Sequence, residues 1–228
     1  MVTRILLVEG QDDQHVMWNL FEFRGISKTF EVECPKSEGG MNGETRRNKE
    51  DGGDRALLDS IPARLLEAEL DCLAVVLDAN DTGPKARWQS IRSRLLNAGY
   101  SDIPEEHAEG GTVFRLSLRP RTPRSVRFAA WIMPDNRSNG MLEDFVTGLI
   151  RDDDDMLPFV DQFLNSIPAV QRRYVPAHQP KARVHSWLAV SERPGRPMGQ
   201  AIKADKHLDA NHASVQPFLN WIQAALVE

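Results

Sequence analysis

The chain has 228 residues, 41% of them hydrophobic and 27% charged, with a formal net charge of −5. A chain of that length buries one substantial core, or one core with a small appendage, and the composition is that of an ordinary globular protein. The acidic balance argues against a protein that coats nucleic acid through bulk electrostatics, while leaving room for a local basic groove.

Taken in order, Ile5 to Val8 is an unbroken apolar run, the pattern of a strand buried on both faces. It leads directly into Glu9, Gly10, Gln11, Asp12 and Asp13. Val16, Met17, Leu20 and Phe21 recur at helical spacing, so a helix capped by Asp12 or Asp13 is expected, ending near Gly25. Phe30 to Glu33 suits a short strand, and residues 36–53, rich in glycine and charge, read as a loop, either functional or an idle surface insertion. Leu57 to Leu70 is expected to be mainly helical, starting near Ser60 because of Pro62. Cys72 to Leu77 repeats the first pattern, a buried strand delivering Asp78, Asn80 and Asp81 at its carboxyl end. A helix from about Pro84, with Trp88, Ile91 and Leu95 on one face, stops at Gly99.

Thr112 to Leu116 and Val126 to Met133 are strand-like, separated by a stiff basic segment carrying Arg119, Arg121 and Arg124. Those arginines either contact phosphates or form a solvated turn balanced by nearby acids. Pro134, Asp135 and Asn136 open a loop into a helix whose buried face is Met141, Leu142, Phe145, Val146 and Leu149. Glu143 and Asp144 fall in its first turn, where the helix dipole favours acids. Asp152 to Asp155 reads as a solvated break, and Pro158, Pro168, Pro176 and Pro180 as further breaks. A short helix over Val184 to Val190 and a final helix carrying Val215, Phe218, Leu219, Ile222 and Leu226 complete the chain. His178, His185, His207 and His212 lack the tight spacing of a zinc site. No apolar run approaches the roughly 20 residues of a membrane span, and no apolar signal segment opens the chain. With only Cys34 and Cys72, in no metal motif, a cytoplasmic protein is expected.

The two strand ends carry the functional signal. Ligands collect at the carboxyl ends of strands in open α/β sheets. If the two buried strands are parallel neighbours, Glu9 and Asp78 face one site. Phosphodiester cleavage builds negative charge on phosphoryl oxygens, and hard cations held by converging carboxylates offset it.

Glu9-Gly10 after a first strand, with Asp78-x-Asn80 after a later one, resembles the Toprim domain of topoisomerases, primases and OLD-type (overcoming lysogenization defect) nucleases. Asp13, four residues after Glu9, and the Gly-x-Leu-Glu-Asp segment from Gly140 to Asp144 are similar to features of a small Toprim-like family related to the OLD group. One departure is that Asn80, followed by Asp81, stands where the usual second acid would be. The resemblance implies Mg²⁺- or Mn²⁺-dependent cleavage of DNA or RNA, in phage defence or nucleic-acid processing. It implies Glu9 and Asp78 as catalytic residues, with Glu9, Asp13, Asp78, Asn80, Asp81 and Glu143 as metal ligands. It also implies a basic residue near the acids, Lys181 or Lys203. Related nucleases often act beside an ATPase, so the resemblance implies an ATPase partner or a homodimer, while Asn80 and the lack of a Gly-x-x-x-x-Gly-Lys-Ser/Thr segment in this chain keep a second reading open. The alternative is a catalytically weak module that binds a nucleotide or a partner protein. The expected architecture is α/β, with a mainly parallel central sheet flanked by helices. Residues 1–150 would form the Toprim-like α/β domain and 151–228 a helical C-terminal extension packed on the same core.

Overall fold

The structure, a computed structural model, describes residues 3–35, 53–117, 125–204 and 207–228. Its centre is a five-stranded sheet of β1 (Thr3–Leu7), β2 (Glu31–Glu33), β3 (Leu70–Asp78), β4 (Thr112–Ser117) and β5 (Ser125–Met133). The order is β2-β1-β3-β5-β4, parallel throughout except for β4, which runs antiparallel to β5 at one edge. The segment expected to be a loop at 36–53 and the basic segment with Arg119, Arg121 and Arg124 lie outside the described residues, save Gly53.

The apolar run of β3 follows from its two buried faces. Cys72, Ala74 and Val76 feed one hydrophobic cluster while Leu73, Val75 and Leu77 feed the other. On the second face lie α2 (Asp54–Leu65) and α3 (Gly83–Asn97). The first face is covered by α1 (Gln11–Phe23), α4 (Leu142–Thr147), α5 (Leu157–Ser166), α6 (Gln179–Ala189), α7 (Met198–Ala204) and α8 (Gln216–Ile222). The C-terminal helices therefore complete one of the two helical layers. Gly199 of α7 lies so close to α1 that a Cβ there would sit 2.7 Å from the His15 carbonyl carbon. Phe218 and Trp221 pack on Trp131, and Arg4 Nη1 donates to the Leu226 carbonyl at 2.8 Å.

The chain leaves β1 through α1 to reach β2 on one side, then returns through α2 to β3 on the other side. The boundary between β1 and β3 is thus the point where the winding reverses, the place where a crevice opens at the strand ends.

Several local expectations need correction. α1 is capped by Gly10, with Asp12 and Asp13 inside the first turn instead. α2 starts at Asp54, not near Ser60, and carries Pro62 within it. An interior proline costs about 3 kcal/mol, but Leu57, Leu58, Ile61 and Leu65 bury a continuous face, and the helix ends at Leu65, soon after the proline. Leu70 accordingly opens β3 and is not helical. Pro158 and Pro180 start α5 and α6 instead of breaking them, because the first turn needs no proline N–H. Asp154 is not a solvated spacer. It is buried, accepts the Leu157 N–H at 2.8 Å and the Trp187 Nε1–H at 3.1 Å, and so fixes the start of α5. Among the described residues, no helix is long and apolar enough to cross a membrane.

Candidate functional site

β1 and β3 pair in parallel up to Leu7 opposite Val75, and β3 runs on to Asp78. Glu9 follows β1 at the same end, where its Oε1 accepts the backbone N–H of Asp78 at 2.8 Å. Asp78 Oδ1 in turn accepts the Leu142 N–H at the start of α4, at 2.9 Å. Each carboxylate is therefore aimed by a backbone donor from the next element along, while keeping a second oxygen. Asp13 joins from the first turn of α1, and the buried Glu143 from the first turn of α4. Lys181, on α6, brings Nζ to 3.5 Å from Glu143 Oε1.

The segment from Gly140 to Asp144 holds this arrangement together. Gly140 exchanges backbone hydrogen bonds with Asn80, Asn80 N–H to Gly140 O at 2.7 Å and the reverse at 3.2 Å. With φ of 141° and a Cβ position only 2.7 Å from Asp144 Oδ2, this site accommodates glycine alone. Asp144 Oδ2 then accepts the Met141 N–H at 2.9 Å, closing the turn that presents Leu142 to Asp78.

Burial and mutual repulsion set the charge state. Loss of water pushes Glu9 up to about 7, with Asp13 and Asp54 adding to the rise and the Asp78 N–H and Arg87 opposing it. Asp13 is pushed up to about 8, again mainly by burial and then by Asp78 and Glu143. Asp78 is raised well above the usual carboxylate range by burial, Glu9 and Glu143, against the pull of the Leu142 N–H and Lys181. Converging buried carboxylates are unfavourable unless they hold protons or share a cation.

The structure thus brings together Glu9, Asp13, Asp78, Glu143 and Lys181. It assigns Asn80 and Asp81 to the rim. Asn80 has φ of 50°, a left-handed conformation in which asparagine is enriched, so its identity suits the backbone. Asp81 is exposed, and its carbonyl accepts the Asn139 side chain at 3.1 Å. Lys203 bonds Glu22 at 2.5 Å, at the far end of α1, so Lys181 is the lysine beside the acids. Asp135 caps its own loop through the Arg137 and Ser138 N–H groups. Sequence reasoning missed Arg87 and Asp54, which pair with each other and both act on the charge of Glu9. Arg87 stands four residues before Ile91 and so borders the buried face of α3, which was the available signal.

Among the described residues, no three His, Cys, Asp or Glu side chains stand as a ready-made metal cage. The donor chemistry nonetheless suits a hard cation, since Glu9, Asp13, Asp78 and Glu143 offer only oxygen. A softer N/S site is not what these residues make. His207 and His212 lie beside Asp154 and Asp152, away from the acid cluster.

Fold and site together define an α/β protein with a largely desolvated carboxylate cluster at the winding reversal of a mainly parallel sheet. The chain belongs to the family described as Protein of unknown function (DUF3226), whose model matches residues 3–226. No curated protein and no solved structure matches it.

Proposed function

We propose that the protein is a metal-dependent nuclease with a Toprim-like acidic site related to the OLD group. The observation that carries this reading is the group of mutually repelling carboxylates at the strand ends, the half-buried Glu9, Asp13 and Asp78 around the buried Glu143. A protein keeps such an arrangement at a cost in stability, and cation-assisted chemistry is the use that offsets it. Asp78, beside Glu9 and Glu143, is the central ligand, with Asp13 and Glu143 completing the set and Glu9 kept for proton transfer. Bound Mg²⁺ or Mn²⁺ would neutralise charge on the phosphoryl oxygens and lower the pKa of water. Glu9, titrating near 7, can take a proton on the oxygen not held by the Asp78 N–H and return it to the leaving oxygen. Lys181, half exposed beside Glu143, is suited to a phosphate oxygen at the mouth of the site. The substrate is DNA or RNA, and an ATPase partner or a second copy of the chain is the assembly this reading favours. Its compartment is read as the cytoplasm on the two free thiols, Cys34 and Cys72.

A second reading has a specific observation behind it. Glu9 and Asp78 each spend an oxygen on a backbone N–H, as structural carboxylates do, and no ready-made cage stands among the described residues. On that reading the chain is a catalytically weak module binding a nucleotide or a partner protein. Titrating Mn²⁺ and assaying cleavage of plasmid and single-stranded DNA and RNA on one preparation separates the two. The nuclease binds and cleaves, whereas the module does neither.

A further inference from the structure

A pocket opens at the same end of the sheet, on the β5 side of Asp78. Asp78 pairs with Met133 in the register of β3 and β5, and Asn136 follows three residues later. The pocket has a volume of about 380 Å³ and is lined by Pro84, Lys85, Glu106, His107, Glu109, Asn136 and Arg137. Asn136 is 1% exposed and holds φ of 62°. Its amide orientation is dictated, because Oδ1 must accept the Ile132 N–H at 2.7 Å. The Nδ2 group is thereby turned away from that bond, and it finds no acceptor among the described residues. A buried donor left in this state costs about 1–3 kcal/mol, so it calls for an acceptor oxygen.

Other features of the pocket favour a negatively charged acceptor. Its floor includes the first turn of α3, a helix of 15 residues with no side-chain cap at its start. Thr82 Oγ1, the nearest hydroxyl, turns back to the Ala79 carbonyl at 3.0 Å instead. Gly83 N–H is spent on the Ala79 carbonyl at 3.1 Å and Pro84 has no N–H, so the Lys85 end of this first turn offers its own N–H and the positive end of the helix dipole. Glu109 is neutralised by Arg137 at 3.0 Å, which leaves the exposed Glu106 at the rim as the opposing charge. His107 is fixed by the Asn136 carbonyl at 2.8 Å, so the wall is built and not improvised.

We infer that this pocket is a phosphate subsite that holds a phosphodiester of the nucleic-acid strand next to the one at the acid cluster. The inference rests on the nuclease reading, since it takes the occupant from that substrate. A strand crossing the end of the sheet from Glu9 past Asp78 arrives over α3, at the exposed Lys85 and the pocket wall that Asn136 lines.

The test is NMR on the ¹⁵N-labelled full chain with two probes, a thymidine dinucleotide and inorganic phosphate. The dinucleotide should shift the Lys85 and Ala86 amides and the Asn136 side-chain NH₂. Asn136→Asp keeps the acceptor for Ile132 and tolerates the backbone angle, but exchanges the free donor for a charge that repels phosphate. It should weaken dinucleotide binding tenfold or more. Lys85→Gln, at an exposed position that does not threaten folding, should weaken it severalfold. Silence of these resonances towards both probes means that water satisfies Asn136 and overturns the inference. So does a response to inorganic phosphate alone, which would make this a free-phosphate site, and so does unchanged affinity in Lys85→Gln. Mn²⁺ titration of the same samples reads the acid cluster separately. Dinucleotide binding without Mn²⁺ binding removes the nuclease and leaves the subsite, and the reverse pattern removes the subsite alone.

Discussion

Glu9 Oε1 accepts the backbone N–H of Asp78 at 2.8 Å, so the two acids that end neighbouring parallel strands are tied by a backbone bond while their charges repel. Asp78 repeats the device on Leu142. Fixing a carboxylate through one oxygen keeps it in place when its neighbours become charged. On the nuclease reading this geometry holds charge for a cation, and that reading has measurable consequences.

The first concerns Asp78. Asp78→Asn keeps an acceptor for the Leu142 N–H but removes a carboxyl whose ionisation burial, Glu9 and Glu143 all oppose. The metal-free variant should be more stable than the parent at pH 8, and each kcal/mol gained raises Tm by about 2–4 °C in a chain of this size. It should also lose Mn²⁺ binding. Thermal melts in EDTA, read with calorimetry, check both, and a variant less stable than the parent would mean that Asp78 is a structural acid.

The second concerns pH. Glu9 and Asp13 titrate near 7 and 8 in the folded chain, whereas unfolded carboxylates titrate near 4. The folded state therefore binds more protons, and their contribution to stability is fully present below about pH 4 and is lost as pH rises through 7 and 8. In EDTA, Tm should fall between pH 5.5 and 8.5, and Mn²⁺ should restore it more at the upper end than at the lower. A flat or rising profile across that window counts against a buried repelling cluster.

The third separates binding from proton transfer. The amide oxygen in Glu9→Gln still accepts the Asp78 N–H, but the side chain no longer exchanges a proton. Cleavage should drop by about 10²–10⁴-fold, while Mn²⁺ affinity changes far less. Parallel loss of both would make Glu9 a ligand first.

The fourth concerns the clip around Asn80. Gly140→Ala would place a Cβ 2.7 Å from Asp144 Oδ2 at φ of 141°. The strain should cost about 1–3 kcal/mol and displace Leu142 from Asp78. Chemical denaturation measures the first, and a fall in Mn²⁺ affinity the second. An alanine accepted without loss of either would show that the turn does not position the site.

Much of this was legible in the amino-acid order because it is local. The apolar runs Ile5 to Val8 and Cys72 to Leu77 required strands buried on both faces, and the α/β sheet with its mainly parallel strands follows from them. Acids directly after such runs had to lie at strand ends. What escaped was non-local or decided by packing. The Leu142 N–H on Asp78 joins residues 64 apart, and the Arg87 pair with Asp54 joins two helices. The Pro62 helix survived because its buried face outweighed a local penalty. Asp154 was misread because four consecutive acids suggest solvent, whereas one of them caps α5 from inside the fold.

The most direct test of the acid cluster is a calorimetric titration of Mn²⁺ into the metal-free full chain at pH 8, with cleavage of a single-stranded oligonucleotide followed on the same material. The account predicts saturable binding that releases protons, because Glu9 and Asp13 are still partly protonated there, together with metal-dependent cleavage, and predicts that Asp78→Asn abolishes both. No heat of binding and no cleavage from a folded chain would contradict it, and the binding-module reading would stand in its place.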